Sequence, residues 1–343
     1  MPYQVEFQPP PKSKKKICWL ECPYCYGLSA EDNGDRMSKE RALDILCQIA
    51  DGGVKKVIFA GYATDPLYSP YIDDLLEVAI NKKMIFGFNT KALVVSQRFL
   101  ELISRKDISE KSYISFSIDA GSNSAYNAVH GVKSSINYYD RVLENVRKIN
   151  NANQLNNYRL DLSAAYLINK HNNSYHEVSK FIEDFKDAGC NILRFTFPQP
   201  PRNITTDSGV IPDKQSKENY KDKLHSLIKN ANDSNHIAIL TDSDYEYDIY
   251  NKPRTLPCFA RFVYPTVGFD GWLYHCSQSS APNFRSMALG DLNQSDFWDL
   301  FYNYDISNDE YFKDCNEKMN SNGCRCDRKM HVLNKNVINS SVF

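Results

Sequence analysis

Apolar residues recur through the middle of this chain in two alternating periods. Between residues 38 and 51, Ala42, Leu43, Ile45, Leu46 and Ile49 fall at helical spacing, with Ser38 placed to cap the helix and Gly52-Gly53 to end it. Residues 54–60 follow as a short run rich in Val, Ile and Phe that stops at Gly61. The same exchange then repeats. Helices are expected over 71–82, near 97–105, over 136–150 and over 175–188, and strands near 84–88 and over 113–118, 159–168 and 191–197. With one early strand, at 3–7 or 16–19, about six strands alternate with helices, which predicts βαβ units and a parallel sheet covered by helices. A closed barrel of this kind needs eight units. The expected fold is therefore α/β, a partial (β/α)6 TIM-like barrel with its reactive groups at the carboxyl ends of the strands.

The pattern breaks at residues 198–213, where four prolines interrupt any apolar period. One more helix is expected over 216–232, and from about residue 255 the chain is rich in loops and cysteine. The division this suggests is a barrel over 1–213, a connecting helix and linker over 214–254, and a small C-terminal domain over 255–343.

Composition changes this picture in one respect. The 343 residues include 41 Lys+Arg and 42 Asp+Glu, a formal charge of −1, which leaves no electrostatic footprint for nucleic acid or an anionic membrane. No apolar run is long enough to span a bilayer. The first residues lack the apolar stretch of a signal peptide, so a cytoplasmic protein is expected. Ten cysteines do not suit a bland reading. In a reducing compartment they point to metal or redox chemistry rather than disulfides. Cys18, Cys22 and Cys25 crowd one end, and Cys258, Cys276, Cys315, Cys324 and Cys326 lie in the last quarter. Cys47 and Cys190 stand alone and read as small buried hydrophobes.

Cys18-Trp19-Leu20-Glu21-Cys22-Pro23-Tyr24-Cys25 has the spacing Cys-x3-Cys-x2-Cys, tight enough for one loop to wrap one metal centre. A structural zinc site wants four ligands, and no further His or Cys follows within reach. A [4Fe–4S] cluster on three thiolates leaves one iron open to a substrate or cofactor.

This motif, with its aromatic residue before the third cysteine and Tyr26-Gly27 after it, resembles that of the radical S-adenosylmethionine (radical SAM) superfamily. The resemblance implies that Cys18, Cys22 and Cys25 hold a [4Fe–4S] cluster. SAM then chelates the open iron through its amino and carboxylate groups. Reductive cleavage gives methionine and a 5′-deoxyadenosyl radical that abstracts hydrogen from a C–H bond. Tyr24 is then expected near the adenine. The loop Gly61-Tyr62-Ala63-Thr64-Asp65-Pro66 stands where the family carries Gly-Gly-Glu-Pro, and it keeps only Gly61, an acid and Pro66. Tyr26, Gly61, Tyr62 and Asp65 are accordingly expected to serve SAM. Ser115-Phe116-Ser117-Ile118-Asp119 is similar to the family's fourth-strand ending, which makes Ser117 and Asp119 further SAM-binding candidates. Ser163 on the fifth strand joins them, and Arg194 on the sixth is expected to point inward as a clamp for substrate or the SAM carboxylate. A salt-bridged barrel arginine is the alternative for Arg194.

Residues 267–274 read as a hairpin turning at Asp270-Gly271, which would bring Cys258 and Cys276 to one side. Leu289-Gly290-Asp291-Leu292 and Phe297-Trp298 resemble the auxiliary-cluster extensions of radical SAM enzymes, the SPASM and Twitch domains. The resemblance makes the C-terminal part a small loop-rich iron–sulfur domain. Its second, auxiliary [4Fe–4S] cluster would rest on Cys258, Cys276, Cys324 and Cys326. Cys315 either competes for a ligand place or remains free as a hydrogen-atom donor. Zinc on the same thiolates is the alternative.

The expected reaction is dehydrogenation or epimerisation of a small polar natural-product intermediate, fed by a one-electron donor such as flavodoxin or ferredoxin. A small substrate is preferred over a ribosomally made precursor peptide because only 17 residues precede Cys18, too few for a peptide-recognition domain. Modification of such a peptide is the first alternative. A non-enzymatic iron–sulfur or zinc redox sensor is the second.

Overall fold

The computed structural model describes residues 1–12, 18–25, 27, 33–62, 64–133, 136–198, 210–241, 258–302, 332–333 and 336–337. Tyr26, Cys315, Cys324 and Cys326 lie outside them. Seven strands run parallel in chain order: β1 (Gln4–Phe7), β2 (Lys56–Phe59), β3 (Ile85–Thr90), β4 (Tyr113–Ser117), β5 (Asp161–Leu167), β6 (Ile192–Thr196) and β7 (Ile237–Leu240). The helices between them are α1 (Lys39–Asp51), α2 (Ile72–Asn81), α3 (Gln97–Ile103), α4 (Asn123–His130), α5 (Tyr138–Leu155), α6 (Tyr175–Asp187) and α7 (Lys214–Asn230). Helix α1 begins where its sequence says it should, with the Ser38 side chain accepting from the Arg41 amide.

The alternation along each strand sorts side chains to two faces. One face presents Phe7, Phe59, Phe86, Phe88, Phe116 and Phe195, all fully buried against the helices. At about 1.5–3 kcal/mol for each buried side chain of this size, this layer is the main source of cohesion. The alternate positions carry Glu6, Lys56, Tyr113, Ser115, Ser163 and Arg194, a polar lining for the inside of an open barrel.

The barrel series β1 to β7 has one strand more than the six read from the sequence. Residues 237–240, expected to be linker, pair with β6 from Ile192↔Ile237 to Phe195↔Leu240. The strand escapes a sequence reading because it is four residues long and leaves Ile237 and Ile239 exposed, so it shows no alternation of apolar and polar residues. On the other edge, β8 (Thr266–Val267) pairs parallel with β1, and β9 (Trp272–Tyr274) and β10 (Gly290–Asp291) add antiparallel. The expected hairpin is present, and it extends the barrel's own sheet. The sheet ends at β10 and β7 and does not close. Two short helices, α8 (Ala260–Val263) and α9 (Phe297–Tyr302), complete this part. Helix α9 is fastened to α1 where Gln48 Oε1 accepts from the Phe297 amide at 2.8 Å and the Trp298 indole donates to the Gln48 carbonyl at 2.8 Å. No helix among the described residues is long and apolar enough to cross a membrane.

Candidate active site

The loops that leave the carboxyl ends of β1 to β5 converge on one point. The cysteine loop turns tightly, the Cys25 amide donating to the Cys22 carbonyl at 3.0 Å. It is held against the end of α4 by the Glu21 amide, which donates to the His130 carbonyl at 2.9 Å. Gly131 makes that approach possible. It ends α4 at φ +64°, and a Cβ there would stand 2.7 Å from the Glu21 carbonyl oxygen.

Asp119, directly after β4, is the hub. It is fully buried and takes a left-handed backbone conformation (φ +61°) that an Asp tolerates better than most residues. One carboxylate oxygen accepts from the Tyr24 hydroxyl at 2.8 Å and the Lys91 ammonium at 3.0 Å, and the other from the Leu167 amide at 2.8 Å. Asn172 fixes its carbonyl oxygen at 2.8 Å. Burial pushes the Asp119 carboxyl up, but Lys91, His130 and these donors outweigh it and hold the group below the ordinary carboxylate value. His130 donates from Nε2 to the Ile118 carbonyl at 2.9 Å, which leaves Nδ1 as the acceptor facing Cys22 Sγ at 3.2 Å. Burial, aided by Lys91, lowers the His130 pKa to about 3, so the ring is neutral.

Asp65 is committed within the fold. Its carboxylate accepts from the Leu67 amide at 2.9 Å, the Thr90 hydroxyl at 2.8 Å and the Lys91 amide at 2.6 Å, so it ties the loop after β2 to the end of β3 and sets where Lys91 begins. Gly61 sits where a Cβ would stand 1.8 Å from the Thr64 carbonyl oxygen. Tyr62 lies elsewhere, buried with Phe269, Tyr274, Ala281 and Phe284 of the C-terminal part. Ser117 is half-buried at the end of β4. Ser163 and Ser115 both accept from the Arg194 guanidinium, at 3.1 and 2.5 Å. Arg194 reaches across β5 to β4 with its side chain partly open to solvent, which puts its charge on the wall of the open lumen. The structure thus brings together Cys18, Cys22, Cys25, Tyr24, Asp119 and Asp65, and places Arg194 with Ser163.

Among the described residues no three Cys, His, Asp or Glu side chains gather into a single-ion site, and the fit of the loop to a cluster rests on its donor chemistry. Burial pushes the Cys22 thiol up to about 12, with Lys91 opposing and the other two cysteines adding to the rise. Cys18 is raised by burial, and further by Cys25. Thiols pushed up by burial, such as Cys18 and Cys22, give up their protons readily only to a positive centre, and Lys91 supplies part of the balancing charge. The residues present therefore suit an iron–sulfur cluster.

Cys258 and Cys276 are both buried in one apolar cluster with Ile58, Ala260 and Tyr264. The other three cysteines of that part are outside the described residues. Cys190 is buried, and its thiol is pushed up by that burial. Cys47, expected to be packing, is only half-buried and lines a surface crevice with Asp44, Asp51 and Trp298. It lies at the margin of the apolar stripe of α1, beside α9.

Sequence reasoning missed Lys91, His130, Thr90 and Asn172. The available signal for Thr90-Lys91 was position, at the carboxyl end of a strand. His130 is the last residue of α4, where no sequence motif marks it.

Residues 14–162 match the sequence profile of the Radical SAM superfamily. An uncharacterised protein from Archaeoglobus fulgidus is 27% identical over 172 residues, 50% of this chain and 37% of that protein, so the match spans little more than a third of that relative's length. Among solved structures, Streptococcus suis SuiB bound to S-adenosylmethionine matches with a TM-score of 0.61 at 16% identity, over 90% of this chain and 67% of that one. SuiB bound to precursor peptide SuiA matches at 0.62 and 16%, over 92% and 67%. The structure of anSMEcpe with bound AdoMet matches at 0.62 and 14%, over 91% and 80%. These likenesses are of fold.

Proposed function

With a radical SAM domain over residues 14–162 as the premise, we propose that this protein takes hydrogen from a C–H bond of a small polar molecule, with dehydrogenation or epimerisation as the outcome. The observation that carries this reading is the convergence of the Cys18–Cys25 loop on the buried Tyr24–Asp119–Lys91 network at the strand ends. Cys18, Cys22 and Cys25 would hold the cluster. When bound, cluster and SAM together supply a one-electron cleavage that yields a hydrogen-abstracting radical. The chain's own work is positioning. Asp119 fixes the Tyr24 ring and the Lys91 ammonium, and the turn from Gly61 to Asp65 offers backbone carbonyls to the SAM ammonium. Ser117 is a candidate for its hydroxyls, and Tyr26 belongs to the same loop as Tyr24. Arg194, steadied by Ser163 and Ser115, would orient an anionic or hydroxyl-bearing substrate in the polar lumen.

The co-burial of Cys258 and Cys276 supports a second cluster, completed by Cys324 and Cys326, with Cys315 as hydrogen-atom donor or as a competing ligand. A peptide substrate is the second reading, favoured by the fold shared with SuiB bound to its precursor peptide. A one-electron donor such as flavodoxin or ferredoxin completes the system under either reading.

Anaerobic reconstitution followed by reduction with dithionite in the presence of SAM tests the proposal. The expected result is 5′-deoxyadenosine, with iron at about eight atoms per chain if two cubane clusters are bound. No 5′-deoxyadenosine under any reductant would leave the redox-sensor alternative standing.

A further inference from the structure

The cysteine loop carries one large side chain that the site does not use. Trp19, between Cys18 and Cys22, is 46% exposed. Its ring lies against Tyr68, the centroids 5.1 Å apart, and the Arg141 guanidinium stands over it at 5.8 Å in a cation–π arrangement. Arg141 is on the exposed side of α5 and, among the described residues, has no carboxylate within ion-pair distance. Lys133 follows the Gly131 cap that touches the cysteine loop; its side chain is 88% exposed and meets Glu21 only at 3.5 Å. Lys12 is exposed, two residues beyond Pro10, whose carbonyl accepts from Ser69 beside Tyr68. Along the sequence, Lys14-Lys15-Lys16 then run toward Cys18. In a chain of formal charge −1, Arg141 stands over the exposed indole, and Lys12 and Lys133 are exposed on segments that adjoin the cysteine loop.

We propose that Trp19, with Arg141 over its ring and Lys133 and Lys12 on the adjoining segments, is the docking surface for an acidic one-electron carrier protein. The inference rests on the radical SAM reading, under which the three-thiolate centre must be reduced from outside. An exposed Trp beside an Arg is the usual make-up of an interface centre. A cationic rim steers an acidic partner and speeds encounter. Trp19 is also next to Cys18 in the chain, so a partner seated on the indole delivers its electron close to the thiolates. With a cluster held by Cys18, Cys22 and Cys25, the donor's reduced flavin would give up one electron and rise one oxidation level, and the cluster would take that electron and fall one level. No bond is made or broken.

The probe is an acidic flavodoxin. Its affinity for the reconstituted protein is measured by calorimetry at two ionic strengths, and 5′-deoxyadenosine formation is compared with reduced flavodoxin and with dithionite. Arg141→Glu and Lys133→Glu are expected each to weaken flavodoxin binding, on the order of tenfold for Arg141→Glu, with wild-type affinity falling as salt rises. Both variants should keep the dithionite-driven yield. Unchanged affinity in both variants, or binding indifferent to salt, would overturn the proposal. So would a loss of dithionite-driven turnover with flavodoxin affinity intact, which would mark the patch as a substrate surface. Failure of the enzyme reading has a different signature: no 5′-deoxyadenosine from the wild type with dithionite, whatever the flavodoxin affinity.

Discussion

The two cysteine regions sit on opposite kinds of ground. Around Cys22 the fold has gathered a buried ammonium, a buried carboxylate and a neutral imidazole within hydrogen-bonding reach of one another. Around Cys258 and Cys276 it has gathered Ile58, Ala260 and Tyr264, with Tyr264 donating to Glu6 at 2.8 Å. The charged region holds Lys91 and Asp119 as an ion pair away from bulk water, at a desolvation cost. The second region sets its thiols among apolar neighbours, with Glu6, Arg261 and His275 buried on adjoining segments, and its remaining cysteines lie outside the described residues. Thiol burial alone does not distinguish a ligand from packing; at Cys22 the thiol also faces His130, within the Lys91–Asp119 charge network.

The largest effect expected is at the charged region. Cys22→Ser should bring 5′-deoxyadenosine formation to background and remove one cluster's iron; retention of both in that variant would break the contrast at its strongest point. At the apolar region, Cys276→Ser is expected to halve the iron and end product formation while SAM cleavage continues. Full iron with only a modest loss of stability would make Cys276 a packing residue and leave the charged region as the one metal centre of the two.

Asp119→Asn leaves the Lys91 ammonium without its carboxylate, a loss of about 3 kcal/mol by denaturant unfolding. The folded pKa of Asp119 lies below the ordinary 3.8, so its contribution is complete above that value and is lost as pH falls through the folded pKa. The variant should therefore unfold in acid along a shallower limb than the wild type. Equal limbs would mean that the carboxylate is not the stabilising partner. Smallest is Arg194→Lys, which keeps the charge and loses the fork that spans Ser163 and Ser115. A rise in KM of roughly tenfold is expected, with SAM cleavage less tightly coupled to product. An unchanged KM would return Arg194 to a structural role in the barrel wall.

Much of this was legible in the residues themselves. The cysteine spacing and the alternation of helix and strand periods act over a few residues, and local chemistry writes them directly into the sequence. Ser38 capping α1 and Asp270-Gly271 turning the hairpin are further cases. The alternation of Ser115, Ser117 and Asp119 indicated a polar set at the end of β4, but not that Asp119 would be the hub. Asp65 was legible as the acid of its loop, yet its carboxylate is spent on Thr90 and the Lys91 amide, across two strand ends that lie 25 residues apart in the chain. Tyr62, read with that loop, turns instead to Phe269 and Tyr274.

What the sequence determined by itself was the set of local elements and the donor types in the cysteine loop. Only the tertiary structure decided that Lys91 and His130 belong to the same site, because parallel strands bring their carboxyl ends together however far apart they lie in the chain. The same is true of the C-terminal hairpin, which continues the barrel's sheet at β1. Its pairing is a matter of free backbone donors and acceptors at a sheet edge, and these carry no side-chain pattern to read.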